Sequence, residues 1–214
     1  MEVFFIRHGQ TGGNAAKRHQ AEHTRLTKRG KEQAAAAAVA AAALRPTHLI
    51  TSNRVRAIET ARFIAETTTL TPVTDERFTE LCRPQPMYGH KHRSPRSIHY
   101  LVRWWLGWVG GNDCGAEGES YAAFRTRLQA AREALEALPP ESRVVVVSHS
   151  VFINFFVIHM CDPRPLSLWR AITTFRRILT IKNGSITHLR FIPSDPNTCA
   201  WQLVSRSDDS HLKV

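Results

Sequence analysis

Val3-Phe4-Phe5-Ile6-Arg7-His8-Gly9-Gln10-Thr11 is the stretch that decides the fold. Four apolar residues run straight into a polar cluster. A short apolar run bounded by polar residues reads as a strand buried on both faces. The pattern recurs twice. His48-Leu49-Ile50-Thr51 leads into Ser52-Asn53-Arg54-Val55-Arg56-Ala57, and Val144-Val145-Val146-Val147 leads into Ser148-His149-Ser150. In an open α/β sheet, ligands bind in the crevice at the carboxyl ends of the strands. Two histidines and two or more arginines, far apart in sequence, are therefore expected at one place. A nitrogen nucleophile in a cationic cradle suits phosphoryl chemistry.

Helical segments alternate with these strands. Thr27 is placed to cap a helix that runs through the alanine-rich stretch Gln33 to Leu44 and stops at Pro46. A second helix is expected from about Arg54 to Glu66, with Arg54 on its solvent side. Pro72 to Arg77 reads as a short strand and loop. A helix begins after Gly118-Glu119-Ser120 and stops before Pro139-Pro140, and another covers about Phe152 to Met160. Ile178–Ile181, Asn183-Gly184 and Ile186–Phe191 read as a hairpin, because Asn-Gly favours a type I′ turn. The fold class is α/β: a three-layer α/β/α sandwich with a mostly parallel, mixed central sheet. Residues 1–214 form one domain. Residues 83–112 read as an insertion-like segment, broken by Pro84, Pro86 and Pro95 and holding Trp104, Trp105 and Trp108.

Hydrophobic content of 43% and charged content of 22% are ordinary for a globular protein. The net charge is +11, but the arginines are dispersed and no nucleic-acid motif appears, so anionic small molecules are the expected partners. No apolar stretch is long enough to span a bilayer, and no signal peptide precedes the first strand, so neither a membrane nor export is expected. Cys82, Cys114, Cys161 and Cys199 are scattered without a CxxC pair. That spacing reads as free thiols in a reducing, cytoplasmic compartment, with neither disulfides nor a zinc site.

The ordered series of motifs resembles the histidine phosphatase superfamily, the phosphoglycerate mutase-like family. Arg7-His8-Gly9-Gln10-Thr11 with Asn14, Leu26-Thr27 with Gly30 and Gln33-Ala34, Ser52 with Arg56-Ala57 and Thr60-Ala61, Phe78-Thr79-Glu80, Gly118-Glu119-Ser120 and Ser148-His149 carry the resemblance. The tail Asp208-Asp209-Ser210-His211-Leu212 is also similar to the family's ending. The resemblance implies that His8 is the nucleophile and that Arg7, Asn14, Arg56 and His149 hold the phosphoryl group. Glu80 becomes the general acid and then the base. Where the family continues with Gly and an acidic stretch, Cys82-Arg83-Pro84 follows here, so Glu22 and Glu119 stay open as alternative acids. The family chemistry needs no cofactor and no metal; His90-Lys91-His92 reads as a solvated loop.

The leading function is a metal-independent phosphatase acting on a small phosphorylated metabolite through a phosphohistidine. The alternatives are phosphoglycerate mutase-type transfer and a non-catalytic phospholigand-binding module. Gly13 stands before Asn14 where mutases of the family carry Trp, which favours hydrolysis. Ser148-His149-Ser150 lacks the Gly-x-Ser-x-Gly elbow of a serine hydrolase. Segment 88–110 is expected to cover the site's mouth and set substrate choice. Its tryptophans leave core burial or a homodimer contact open as competing roles.

Overall fold

The three apolar runs form neighbouring strands in the computed structural model, which describes residues 1–112, 114–177, 181–193 and 198–213. Strands β1 (Glu2–Arg7), β2 (His48–Thr51), β3 (Val73–Thr74), β4 (Arg143–Ser148), β5 (Ile186–Phe191) and β6 (Trp201–Asp208) lie in the order β3-β2-β4-β1-β5-β6. β1 to β4 are mutually parallel, β5 pairs antiparallel with β1, and β6 pairs antiparallel with β5. Arg7 pairs with Ser148, and Thr51 pairs with Val147. The chain therefore leaves β1, β2 and β4 at one edge of the sheet.

The helices are α1 (Gly12–Ala15), α2 (Lys28–Ala43), α3 (Val55–Thr68), α4 (Pro95–Trp105), α5 (Tyr121–Glu136), α6 (Ser150–His159) and α7 (Leu168–Arg177). Side chains alternate across the sheet, as strand geometry requires. Phe4, Ile6, Val145 and Val147 pack on Ala37, Ala38 and Ala41 of α2 and on Ala57, Ala61 and Ile64 of α3. Val3, Phe5, Val144 and Val146 share the opposite core with Trp104, Phe124, Leu128, Phe152, Phe155 and Phe156. This is the three-layer α/β/α sandwich with a mixed sheet. Thr27 caps α2, its side chain accepting from the Gly30 amide at 3.0 Å. The small alanines of α2 let it pack tightly against α3 and the sheet.

Several expectations are corrected. Pro95 does not break the chain; it occupies the first turn of α4 behind the N-cap Ser94, where its missing N–H costs nothing. The antiparallel partners of β5 are β1 and β6. Of the hairpin's other strand, residues 178–180 lie outside the described residues. Gly184 takes a φ of 77°, but Asn183 does not take the positive φ that a type I′ turn also needs. The four cysteines are not free thiols. Cys82 pairs with Cys114 and Cys161 with Cys199, with Cα–Cα distances of 5.1 and 5.3 Å. Separations of 32 and 38 residues hid pairs that the fold brings together. With that, the cysteines no longer argue for a reducing compartment. Among the described residues, no helix is long and apolar enough to cross a membrane.

Candidate active site

His8 follows the last residue of β1. Its amide donates to the Ser148 carbonyl at 3.0 Å, tying it to the neighbouring strand end. The next residues pass so close to α2 that no side chain fits between them. A Cβ on Gly9 would meet the Gly30 carbonyl oxygen at 2.2 Å, and one on Gly30 would meet the Gln10 carbonyl at 2.0 Å. The backbone of the loop is then fixed by two side chains. Gly9 N–H donates to Thr60 Oγ1 at 3.1 Å, and Gln10 N–H donates to Gln33 Oε1 at 2.9 Å. Gly30, Gln33 and Thr60, three positions of the sequence motifs, thus hold the nucleophile's loop.

The His8 ring is buried, and its Nδ1 lies 2.7 Å from the Gly9 carbonyl oxygen. A carbonyl only accepts, so Nδ1 carries the proton and Nε2 keeps its lone pair. Burial, then the positive charges of Arg56 and Arg7, hold the imidazole's pKa well below its usual value. A neutral ring with a free Nε2 can attack an electrophile.

His149 is fully buried beside it, ring centroids 5.0 Å apart. Its Nε2 lies 2.8 Å from Ser52 Oγ, while its Nδ1 has no partner. Burial, then Arg56 and His8, also push its pKa well down. His149 therefore enters this site neutral, and the cationic field comes from the arginines. Arg7 hydrogen-bonds the Ile181 carbonyl through Nη1, and Arg56 donates through Nη1 to the Ala21 carbonyl at 3.2 Å. The Nε of each is buried without a partner. Burial lowers both guanidinium pKa values to about 10, still well above neutrality, and the charge of Glu80 acts against that fall. Asn14 Oδ1 accepts from the Thr11 amide, Thr11 Oγ1 and Asn183 Nδ2 at 3.2, 2.9 and 3.1 Å. Its amide nitrogen is left as the donor toward the cleft.

Glu80 lines the same cleft. Its Oε1 accepts from the Leu81 and Phe152 amides at 3.0 and 3.2 Å, and its Oε2 from Val151 at 3.4 Å. The carboxyl thus sits on the first turn of α6, held by that turn's amides. Arg127 fixes the segment behind it, donating to the Thr79 carbonyl at 2.7 Å. Of the alternative acids, Glu22 is ion-paired to Arg54 at the cleft, and Glu119 is buried outside it, 2.7 Å from Arg127.

The cleft encloses about 560 Å³ and takes in Arg7, His8, Asn14, Arg56 and Glu80. Arg54 also lines it, with only 8% of its surface exposed, so its expected solvent position is wrong. It is the N-cap of α3 with an extended backbone, so helical spacing does not govern where its side chain goes. Residues of the 88–110 segment, among them Tyr88, His92, Arg93 and Val102, line the cleft as well. The tryptophans divide: Trp104 is fully buried and donates to the Glu119 carbonyl at 2.9 Å, while Trp108 is 67% exposed.

The family model of the histidine phosphatase superfamily (branch 1) matches residues 3–203. The chain belongs to this superfamily. Among similar proteins, one named "Probable phosphoglycerate mutase GpmB" from Yersinia enterocolitica is 29% identical over 221 residues, covering 100% of this chain and 96% of that protein. Its namesake from Shigella boydii is 30% identical over 215 residues, covering 99% and 95%. A mycobacterial glucosyl-3-phosphoglycerate phosphatase in complex with VO3 superposes with a TM-score of 0.69 at 24% identity, over 96% of this chain and 98% of that one. A phosphoserine phosphatase mutant from Entamoeba histolytica, in complex with phosphoserine, gives 0.75 at 21% identity over 99% and 98%. These two likenesses show a shared fold.

Two features of the site in this member of the superfamily escaped the sequence reading. One is Arg54. The other is Asn183, whose Nδ2 donates to the His8 carbonyl at 2.9 Å and to Asn14. The Asn-Gly pair signalled a turn and gave no hint of a side chain directed at the nucleophile.

Proposed function

We propose that this protein is a metal-independent phosphatase that hydrolyses a phosphorylated small molecule through a phosphohistidine. The observation that carries the reading is the His8 imidazole. Its Nδ1 proton is committed to the Gly9 carbonyl, its Nε2 is free, and two guanidiniums stand around it. His8 Nε2 attacks phosphorus, forming the P–N bond as the P–O bond to the alcohol breaks. Arg7, Arg56, His149 and Asn14 hold the non-bridging oxygens, over which charge is spread in the transition state. Glu80 gives its proton to the leaving oxygen. Its Oε2, with one long hydrogen bond, is the atom free to carry that proton. The same carboxylate then takes a proton from water, which attacks phosphorus and releases His8 and inorganic phosphate. The two guanidiniums supply the charge that a metal provides elsewhere.

Mutase chemistry shares the first half of this path, and the 29–30% relatives carry a mutase name. Gly13, where mutases of the family place Trp, favours water as the acceptor. Two assays separate them. Release of phosphate from p-nitrophenyl phosphate supports hydrolysis. Interconversion of phosphoglycerates that depends on a bisphosphate primer, without comparable phosphate release, overturns it in favour of the mutase.

A further inference from the structure

The phosphoryl end of the cleft is cationic, but one part of its wall is apolar. Leu81, Ile98, Leu101, Val102, Val151 and Phe155 line it. Three of these come from one helix. α4 turns Ser97, Tyr100 and Trp104 into the core, and the adjoining stripe Ile98, Leu101, Val102 faces the cleft. Positions i, i+3 and i+4 share a helix face. Ile98 and Val102 remain 53% and 47% exposed there, so the fold itself does not use them. The volume of about 560 Å³ falls in the range of sites that enclose ligands of drug-like size. The small polar body of a three-carbon phosphate offers that apolar stripe no partner. Of the other cations that line the cleft, Arg54 is ion-paired to Glu22 and donates to Cys82 Sγ at 3.3 Å.

Resting on the phosphatase reading, we infer that the substrate is a phosphomonoester of an alcohol with an extended apolar body. The body lies along Ile98, Leu101 and Val102, and the phosphate stands on His8. Binding energy from the apolar body, away from the reacting atoms, then sets selectivity. The bond made and broken is the one described above, with water as the acceptor. Arg83 and Arg93, also on the cleft wall, are where a second anionic group would bind if the substrate were a small polyanion.

The test is kcat/KM for ethyl, butyl, hexyl and octyl phosphate beside glycerol 3-phosphate, 3-phosphoglycerate and p-nitrophenyl phosphate. Each methylene that is buried is worth up to ~4-fold, so octyl phosphate is expected to exceed ethyl phosphate by ~10²-fold or more. Val102→Thr keeps the side-chain shape but adds a hydroxyl, and Ile98→Asp adds a charge. Both are expected to shrink the octyl-to-ethyl ratio, the second by at least ~10-fold. Should Ile98→Asp fail to fold, Val102→Thr still gives the answer. Hydrolysis of p-nitrophenyl phosphate with a flat alkyl series, or with 3-phosphoglycerate the preferred ester, overturns the inference and leaves the phosphatase standing. Failure to hydrolyse any ester overturns the phosphatase reading itself.

Discussion

The imidazoles of His8 and His149 stand 5.0 Å apart, centroid to centroid, and burial keeps both uncharged. One is held by the carbonyl of Gly9 and the other by the hydroxyl of Ser52. Neither contact consumes His8 Nε2 or His149 Nδ1. His8→Ala is expected to abolish turnover with the fold intact. Acid-sensitive phosphate should be trapped on the wild type during turnover and not on the variant. His149→Ala and Arg56→Ala should each lower kcat by ~10²-fold, the scale of losing one preorganised donor. Near-wild-type activity in the His8 variant would end the covalent mechanism.

Glu80 meets α6 through the Phe152 and Val151 amides. Glu80→Gln keeps one acceptor oxygen, enough for the Leu81 and Phe152 amides on Oε1, but has no proton to deliver to a leaving alkoxide. Turnover of an alkyl phosphate should fall by at least ~10²-fold. Turnover of p-nitrophenyl phosphate, whose leaving group needs no proton, should fall far less. Parallel rate measurements decide this, and equal losses would assign Glu80 a different task.

The strand ends were legible because buried strands leave runs of apolar residues; Arg7, His8, Ser52 and His149 stand at or just after the ends of such runs, and Arg56 lies in the first turn of the helix that follows β2. The parallel order then brought them together without any need to know the loops. Arg54 was not legible, since it sits at an N-cap where no periodicity applies. α4 was hidden by Pro95, which interrupts a helix in most positions but begins one here. The disulfides were out of reach for another reason. Cys82 and Cys161 find their partners across long loops, and spacing along the chain does not encode distance in space.

Acid should unfold this protein by a route visible in its histidines. His19 is buried, with Nε2 3.0 Å from Ser97 Oγ; burial, then Arg83 and His92, lowers its pKa to about 3. The unfolded chain takes up a proton near pH 6.5 that the folded chain refuses. Stability present above pH 6.5 is therefore lost as the pH falls from 6.5 toward about 3. His8 and His149 contribute in the same direction. Each such group adds a slope of up to about 1.4 kcal/mol per pH unit. Urea titrations at pH 7, 6, 5 and 4 should show a shallower decline for His19→Gln than for the wild type. Matching slopes would mean that His19 is protonated in the folded state.

The Cys161–Cys199 bond ties the end of α6 to the residues that enter β6, an edge strand of the sheet. Both cysteines lie away from the cleft lining. Closing a loop of this length restricts the unfolded chain and contributes about 4 kcal/mol in the chain-entropy account. For a chain of this size that corresponds to a Tm change of ~10 °C. Cys161→Ser with Cys199→Ser should therefore melt ~10 °C lower by calorimetry while hydrolysing p-nitrophenyl phosphate at a normal rate at 25 °C. The Cys82–Cys114 bond has a different consequence, because Cys82 lines the cleft two residues after Glu80 and accepts from Arg54 Nη2. Cys82→Ser with Cys114→Ser should lower Tm by a similar amount and also raise KM, as the chain between Glu80 and α4 loses its tether. A reductant titration on the wild type, followed by Tm and KM together, distinguishes the two bonds. If reduction changes neither quantity, the cysteines are not paired in solution.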